Sequence, residues 1–231
     1  MNTPITNGRR GFLRGLAALG AGVAGFSLLP SAGFAATSTV AATAGVAAAD
    51  PDKDLTIIGP KEGYSPQIGT LVSMMGFMRW QVLGSVKGMT TEQLDFLLDD
   101  KANRIGAMLN HLAATDALYH EHVFKGVEWG KWDSGVQQKW GVAMALGDPA
   151  RQAIKGNNLD YYLTMLSETR ESTLAELRKR DDKWLMTVDQ QWPWGPTNNY
   201  CKLFHVCEHE GNHNGQIKLV KGRIPGIKAG E

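Results

Sequence analysis

From Ile68 onward, apolar residues recur every three or four positions. Ile68, Leu71, Val72, Met75, Met78, Val82 and Val86 form one stripe ended by Gly88, which predicts an amphipathic helix. Thr90-Thr91-Glu92-Gln93 then has the form of a capping box, in which the Thr90 hydroxyl and the Gln93 side chain satisfy orphan backbone N–H groups, opening a short helix through Leu97. A second long helix is predicted from about Ala102 to Phe124, with Ile105, Met108, Leu109, Leu112 and Tyr119 on its buried side. Residues 126–158, with several glycines and three tryptophans, read as a loop-rich stretch holding a short helix. Leu159, Tyr162, Leu166, Thr173, Leu174 and Leu177 signal a third long helix that fades at Arg180. After Trp192-Pro193-Trp194-Gly195-Pro196, the last runs from about Asn198 to Lys221, where Gly222 and Pro225 stop it. With no strand alternation and no repeat at a solenoid period, the pattern is that of an all-α bundle in one domain.

The first fifty residues are unlike the rest. No Asp or Glu occurs before Asp50, and residues 11–49 are largely Ala, Gly, Ser, Thr and Val. A polar start with Arg9-Arg10-Gly11-Phe12-Leu13-Arg14 leads into a modestly apolar run, Pro30, and two small-x-small sites, Gly33-Phe34-Ala35 and Ala47-Ala48-Ala49. This reads as an export signal over residues 1–35, cut near Ala35, with Ala49 as second choice. The run is too short and too rich in Gly and Ala to serve as a membrane anchor. The Arg-Arg-x-Phe-Leu-Arg core resembles the twin-arginine signal, with Gly8 where Ser or Thr usually stands. That resemblance implies an exported, periplasmic protein that crosses the membrane already folded and keeps no stable membrane anchor after cleavage. Residues 36–60 lack periodicity and are expected to form a flexible lead-in to a domain over 61–228.

Charge and composition then exclude several classes. The 231 residues hold 24 Lys+Arg against 23 Asp+Glu; without Arg9, Arg10 and Arg14 the balance is 21 against 23. A mildly acidic chain with no basic stripe argues against nucleic acid as a partner. Cys201 and Cys207, six apart on one helix, cannot bridge each other and read as packing residues. Gly-x-Ser-x-Gly, phosphate-loop and dinucleotide fingerprints are absent.

Three of the six histidines fall on the last helix, at His205, His209 and His213. Residues four apart share a helix face, so His209 and His213 can bring two imidazole nitrogens to one divalent transition ion, while His205 drifts off that face. The donor type suits zinc first, with nickel or iron as alternatives. His111, near the buried side of the second helix, is the candidate third ligand; His120 and His122 read as solvent-facing or structural. His209-Glu210-x-x-His213 also spells the zinc-protease motif, with Glu210 as general base. The extended form of that motif fails, because Gln216 and Leu219 stand where Gly and a third His are needed.

Residues 103–116, Asn-Arg-Ile-Gly-Ala-Met-Leu-Asn-His-Leu-Ala-Ala-Thr-Asp, resemble the second-helix segment of the DinB-like (YfiT-related) superfamily. His205-x-x-x-His209-x-x-x-His213-Asn214-Gly215-Gln216-Ile217 resembles its last-helix signature, with Asn214 where Arg is often found and Asp116 in place of the commoner Glu. The resemblance covers roughly residues 65–225. It implies an up-down-down-up four-helix bundle with a divalent metal held by His111, His209 and His213. Three protein ligands leave open positions, the mark of a catalytic rather than a closed structural site. The function expected is therefore an exported, metal-dependent enzyme that activates a low-molecular-weight thiol, or water, on a small-molecule substrate, with a homodimer as a further expectation from the relatives. The alternatives are a non-catalytic metal- or ligand-binding bundle and a metallohydrolase of the zinc-protease type. Glu210 is either the general base or a solvent-facing residue. Asp116 and Tyr119 are candidates to orient His111 or a substrate, Gln216 to hydrogen-bond in the site, and the loop tryptophans Trp129, Trp132, Trp140, Trp192 and Trp194 to wall a pocket or seal the bundle ends.

Overall fold

The structure, a computed structural model, describes residues 55–227. The export signal and all of the lead-in before Leu55 lie outside the described residues. Four long helices carry the fold: α1 (Pro66–Val86), α3 (Ile105–Lys125), α6 (Leu159–Leu177) and α8 (Asn199–Lys221). Between them lie α2 (Thr91–Leu94), α4 (Ser134–Ala145), α5 (Gly147–Ala153) and α7 (Asp182–Leu185), and a two-residue antiparallel ladder pairs β1 (Val188–Asp189) with β2 (Thr197–Asn198).

Local chemistry explains the boundaries. The capping box forms, with Gln93 N donating to Thr90 Oγ1 at 3.3 Å and Thr90 N to Gln93 Oε1 at 2.9 Å. Its helix stops at Leu94, short of the expected Leu97, because Asp95 turns to other partners: its carbonyl accepts from Arg104 and its carboxylate from Gly156 N. α3 starts at Ile105 rather than Ala102, since Asp99 Oδ1 accepts from the N–H groups of Lys101 and Ala102 in a turn that competes with helix. Asp133, Asn158 and Asn198 cap α4, α6 and α8 through their side-chain oxygens. α1 is capped from across the bundle. Ser65 makes no cap of its own, and Asp182 instead accepts from Ser65 Oγ, Gln67 N and Ile68 N at 2.6–3.2 Å.

Contacts between helices fix their directions. Arg79 reaches the Leu166 carbonyl and Arg170 the Met75 carbonyl, so α1 and α6 run antiparallel. Arg79 meets Glu210 and Ser85 meets Asn214, which makes α1 and α8 parallel. Gly106 lies against Tyr162 and Asp116 bonds Arg170, so α3 and α6 are parallel. The order is up-down-down-up. A parallel pair in succession needs a connection that returns the whole length of a helix, about 30 Å for 21 residues. Residues 126–158 are that return, and they contain two helices, α4 and α5, where one short helix was expected. α3 and α6 approach tightly at Gly106, where a Cβ would sit 2.7 Å from the Tyr162 ring.

The core is interrupted by charge. One apolar cluster gathers Val82, Val86, Ile105, Leu109, Tyr162, Leu166 and Ile217; the other gathers Ile68, Leu71, Met75, Tyr119, Leu177, Leu203 and Val206. At their border lie Arg79, Asp116, Arg170 and Glu210, all buried. Arg79 Nη2 and Arg170 Nη2 both donate to Glu210 Oε1, at 2.6 and 2.7 Å, and Arg170 Nε donates to Asp116 Oδ2 at 2.7 Å. Two guanidinium groups against two carboxylates leave no formal charge. Buried ions are tolerated only in such paired, hydrogen-bonded sets. Among the described residues no helix is long and apolar enough to cross a membrane.

Candidate metal centre

Three imidazoles meet beside this charged layer. His111 comes from the middle of α3, and His209 and His213 from successive turns of α8. A ligand atom from each lies within 4.8 Å of the others. The ring centroids are 4.5–5.0 Å apart, and His111 Nε2 is 2.8 Å from His209 Nε2.

The His111 and His213 rings are held by hydrogen bonds on their far nitrogens. His111 Nδ1 donates to the Ala143 carbonyl at 3.0 Å, in the last turn of α4, where a helix leaves carbonyls without partners. His213 Nδ1 donates to Gln216 Oε1 at 3.1 Å. Each bond places the proton on Nδ1 and the lone pair on Nε2, which is how ligating histidines are oriented. α4 therefore does more than return the chain, because its C-terminus sets the His111 tautomer. The α8 backbone comes close to α1 here, where a Cβ on Gly211 would be 3.3 Å from Met78 Sδ.

The environment keeps the rings neutral. Burial first, then the neighbouring His213, lowers the His111 pKa to about 4; the bond to Ala143 opposes the shift without cancelling it. Burial, then His111, His213 and His205, lowers His209 to about 2, and burial lowers His213. Neutral imidazole nitrogens that converge, two of them with their tautomers set by hydrogen bonds, fit a divalent transition metal, and these three residues can hold one. His111 and His213 are buried while His209 is partly exposed, so the accessible edge lies along the His205–His209 side of α8. His205 stands one turn back, its ring 5.2 Å from that of His209 and 4.8 Å from Trp194. Its Nδ1 is 2.7 Å from Glu208 Oε1.

A pH dependence follows. In the unfolded chain these histidines titrate near 6.5. The metal-free folded protein binds their protons more weakly, so stability falls as pH drops below about 6.5 and the His111 contribution is lost by about 4. Thermal unfolding of metal-free protein between pH 7 and pH 4 should show a steady fall in Tm, shallower in His111→Gln. A flat profile would contradict the depressed values.

Other expected site residues are placed elsewhere. Glu210 does not face solvent: it is 1% exposed and its Oε1 accepts from both arginines. Its Oε2 is buried without a hydrogen-bond partner. A carboxylate so enclosed and so paired is a poor general base, and the zinc-protease reading loses the residue that carried it. Asp116 does not orient His111; it accepts from Arg170 and, at 2.6 Å, from Thr173 Oγ1. Burial pushes the Asp116 carboxyl up, but Arg170, Arg79 and Thr173 outweigh it and hold it below its usual range. Tyr119 is a core residue whose phenol is pushed up by burial. Gln216 does hydrogen-bond in the site, and Asn214 ties α8 to Ser85 of α1 at 2.6 Å. His120 packs on Phe124, and His122 bonds the Val127 carbonyl. Cys201 and Cys207 are free thiols; Cys201 is exposed rather than packed, while Cys207 is buried, with its pKa raised to about 11 by burial and by Glu210.

Arg79 and Arg170 were absent from the sequence reading. Their signal was there: each fills a gap in a buried stripe, between Met75 and Val82 and between Leu166 and Thr173.

The sequence pattern of the family described as Mycothiol-S-transferase matches residues 70–226. Among solved structures, the crystal structure of a conserved protein from Enterococcus faecalis matches 68% of this chain and 96% of that chain, with a TM-score of 0.53 and 13% identity. At that identity the likeness is one of fold alone. No curated protein matches.

Proposed function

The chain belongs to the mycothiol-S-transferase family, a DinB/YfiT-like family, and from that premise we propose that it is a metal-dependent transferase. It joins the sulfur of a low-molecular-weight thiol, of the mycothiol class, to a small electrophile. The observation that carries the reading is the convergence of His111, His209 and His213 within the region the family pattern covers. A divalent transition metal bound there, zinc by preference, supplies the Lewis acidity that brings a thiol's pKa toward neutral pH.

The chain's own residues do the rest. His111, His209 and His213 offer Nε2 as ligand atoms, and the Ala143 carbonyl and Gln216 Oε1 keep two of the rings aimed. His205, its Nδ1 engaged by Glu208 and its pKa lowered by burial against Glu208, is neutral near pH 7 and leaves Nε2 to take the thiol proton. Trp194 and His205 border the open edge along which an electrophile approaches. In the overall change the S–H bond and the electrophile's bond from carbon to its leaving group break, a sulfur–carbon bond forms, and the proton, taken first by His205, leaves with the displaced group.

The test is a conjugation assay with mycothiol or a cysteine derivative and a chromogenic electrophile. Metal-loaded protein should turn over with saturation in thiol, and metal-free protein should not exceed the uncatalysed rate. Equal rates with and without metal would sink the reading. Export by the twin-arginine route is proposed with it, resting on residues 1–35. Retention of the protein in the cytoplasm when Arg9 and Arg10 are changed to Lys would support that route; unchanged export would reject it.

A further inference from the structure

The metal ligands stand on two helices, α3 and α8, and the triad needs those helices held at one spacing and one height. Direct bonds do not supply that hold. Outside the triad, the one polar bond between α3 and α8 among the described residues runs from Lys202 Nζ to His122 Nε2 at 2.8 Å, about three turns from His111. Apolar packing between the two helices is non-directional and does not by itself fix their height.

The buried charges do fix it. Each ligand helix carries one carboxylate close to its ligands: Asp116 follows His111 by five residues on α3, and Glu210 lies between His209 and His213 on α8. Two carboxylates repel, so a shared cation is needed to bring them together. Arg170 of α6 is that cation. Its Nε donates to Asp116 Oδ2 and its Nη2 to Glu210 Oε1, each at 2.7 Å. These two N–H groups form one edge of the guanidinium, a pair of parallel donors that commonly grips a single carboxylate. Here the edge takes one oxygen from each ligand helix, so a rigid plane sets the distance between them.

The neighbours reinforce this arrangement without repeating it. Thr173 Oγ1, one turn further along α6, donates to the second Asp116 oxygen at 2.6 Å, which anchors that carboxylate on both sides. Arg79 is centred on Glu210: its Nε and Nη2 both donate to Oε1, at 2.9 and 2.6 Å, and its Nη2 stays 3.6 Å from Asp116. All four charged groups are buried, where solvent screens them least.

We propose that Arg170 is a positioning residue for the metal centre, clamping α3 to α8 through Asp116 and Glu210 and so setting the spacing of His111 from His209 and His213. Arg170 makes no hydrogen bond to any of the three histidines. The inference rests on the three-histidine centre and is independent of the reaction carried out there.

Titration of the full-length, metal-free protein with Co(II), followed by its visible spectrum and by competition with a chelator, tests the clamp. Arg170→Lys keeps the positive charge in the layer and removes the parallel pair of donors. Wild type should bind one Co(II) per chain. Arg170→Lys should bind it about 10–100-fold more weakly, the range of outer-shell partners, with visible bands altered in position or intensity because the ligand spacing has changed. Thr173→Val, a change of similar shape, frees one Asp116 oxygen and should shift the affinity in the same direction by less. Leu185→Ala opens a cavity beside α7, in the apolar cluster, and should match wild type in affinity and spectrum. Circular dichroism selects the variants that are folded at the titration temperature, so a loss of global stability does not enter the affinity. Failure of wild type to bind Co(II) would remove the centre, and the clamp with it. Where wild type binds, unchanged affinity and spectrum in the folded variants of Arg170 and Thr173 would leave the centre standing and overturn the clamp, and so would an equal loss in Leu185→Ala.

Discussion

Arg170→Met is expected to destabilise the protein by about 3–5 kcal/mol, the loss seen when one partner is removed from a buried ion set. Arg170 donates to Asp116 at 2.7 Å, to Glu210 at 2.7 Å and to the Met75 carbonyl at 3.2 Å, and is itself 7% exposed. Methionine keeps the unbranched apolar stem of the side chain and removes every donor of the guanidinium. It leaves two buried carboxylates facing Arg79 alone, one charge short of neutrality. For a domain of this size 1 kcal/mol moves Tm by about 2–4 °C, so the midpoint should fall by roughly 6–20 °C. Urea unfolding of both proteins at pH 7 measures the difference. A loss below about 1 kcal/mol, the scale of a solvent-exposed pair, would show that the charged layer is not sealed from water.

Loss of metal is the second large effect. His209→Ala should weaken binding of a divalent transition metal by at least about 100-fold, beyond the 10–100-fold typical of outer-shell partners. Gln216→Ala should fall within that lower range, since Gln216 touches only His213 Nδ1, at 3.1 Å. The pair of variants separates a ligand from the group that aims it. Competition against a chelator of known affinity gives both numbers. A Gln216→Ala protein as weak as His209→Ala would mean that Gln216 is itself a ligand, and full occupancy in His209→Ala would remove the triad.

What could be read in advance followed the locality of the physics. The capping box at Thr90–Gln93 and the i, i+4 histidines depend on residues within one or two turns, and their sequence carries the whole signal. α4 buries little beyond Trp140 and Ala143, so its stripe was too thin to announce a helix, although Asp133 as N-cap was in plain view. The two-residue ladder of Val188–Asp189 with Thr197–Asn198 is too short to show alternation. The partner of His111 was sought among side chains, with Asp116 and Tyr119 as the candidates. It is the Ala143 carbonyl, and a backbone oxygen leaves no mark in a sequence. Arg79 and Arg170 were missed, and Glu210 was left between general base and solvent, for a related reason: periodicity counts apolar positions, whereas these charges are buried only because each finds its partner on another helix.

The central claim is an open three-histidine metal centre that accepts a thiol, and X-ray absorption of purified, metal-loaded protein with and without added thiol tests it most directly. With zinc, the account predicts one ion per chain bound by three imidazole nitrogens at about 2.0–2.1 Å, with a sulfur at about 2.3 Å appearing when thiol is added. A fourth protein ligand, or a coordination shell that thiol leaves unchanged, would contradict it.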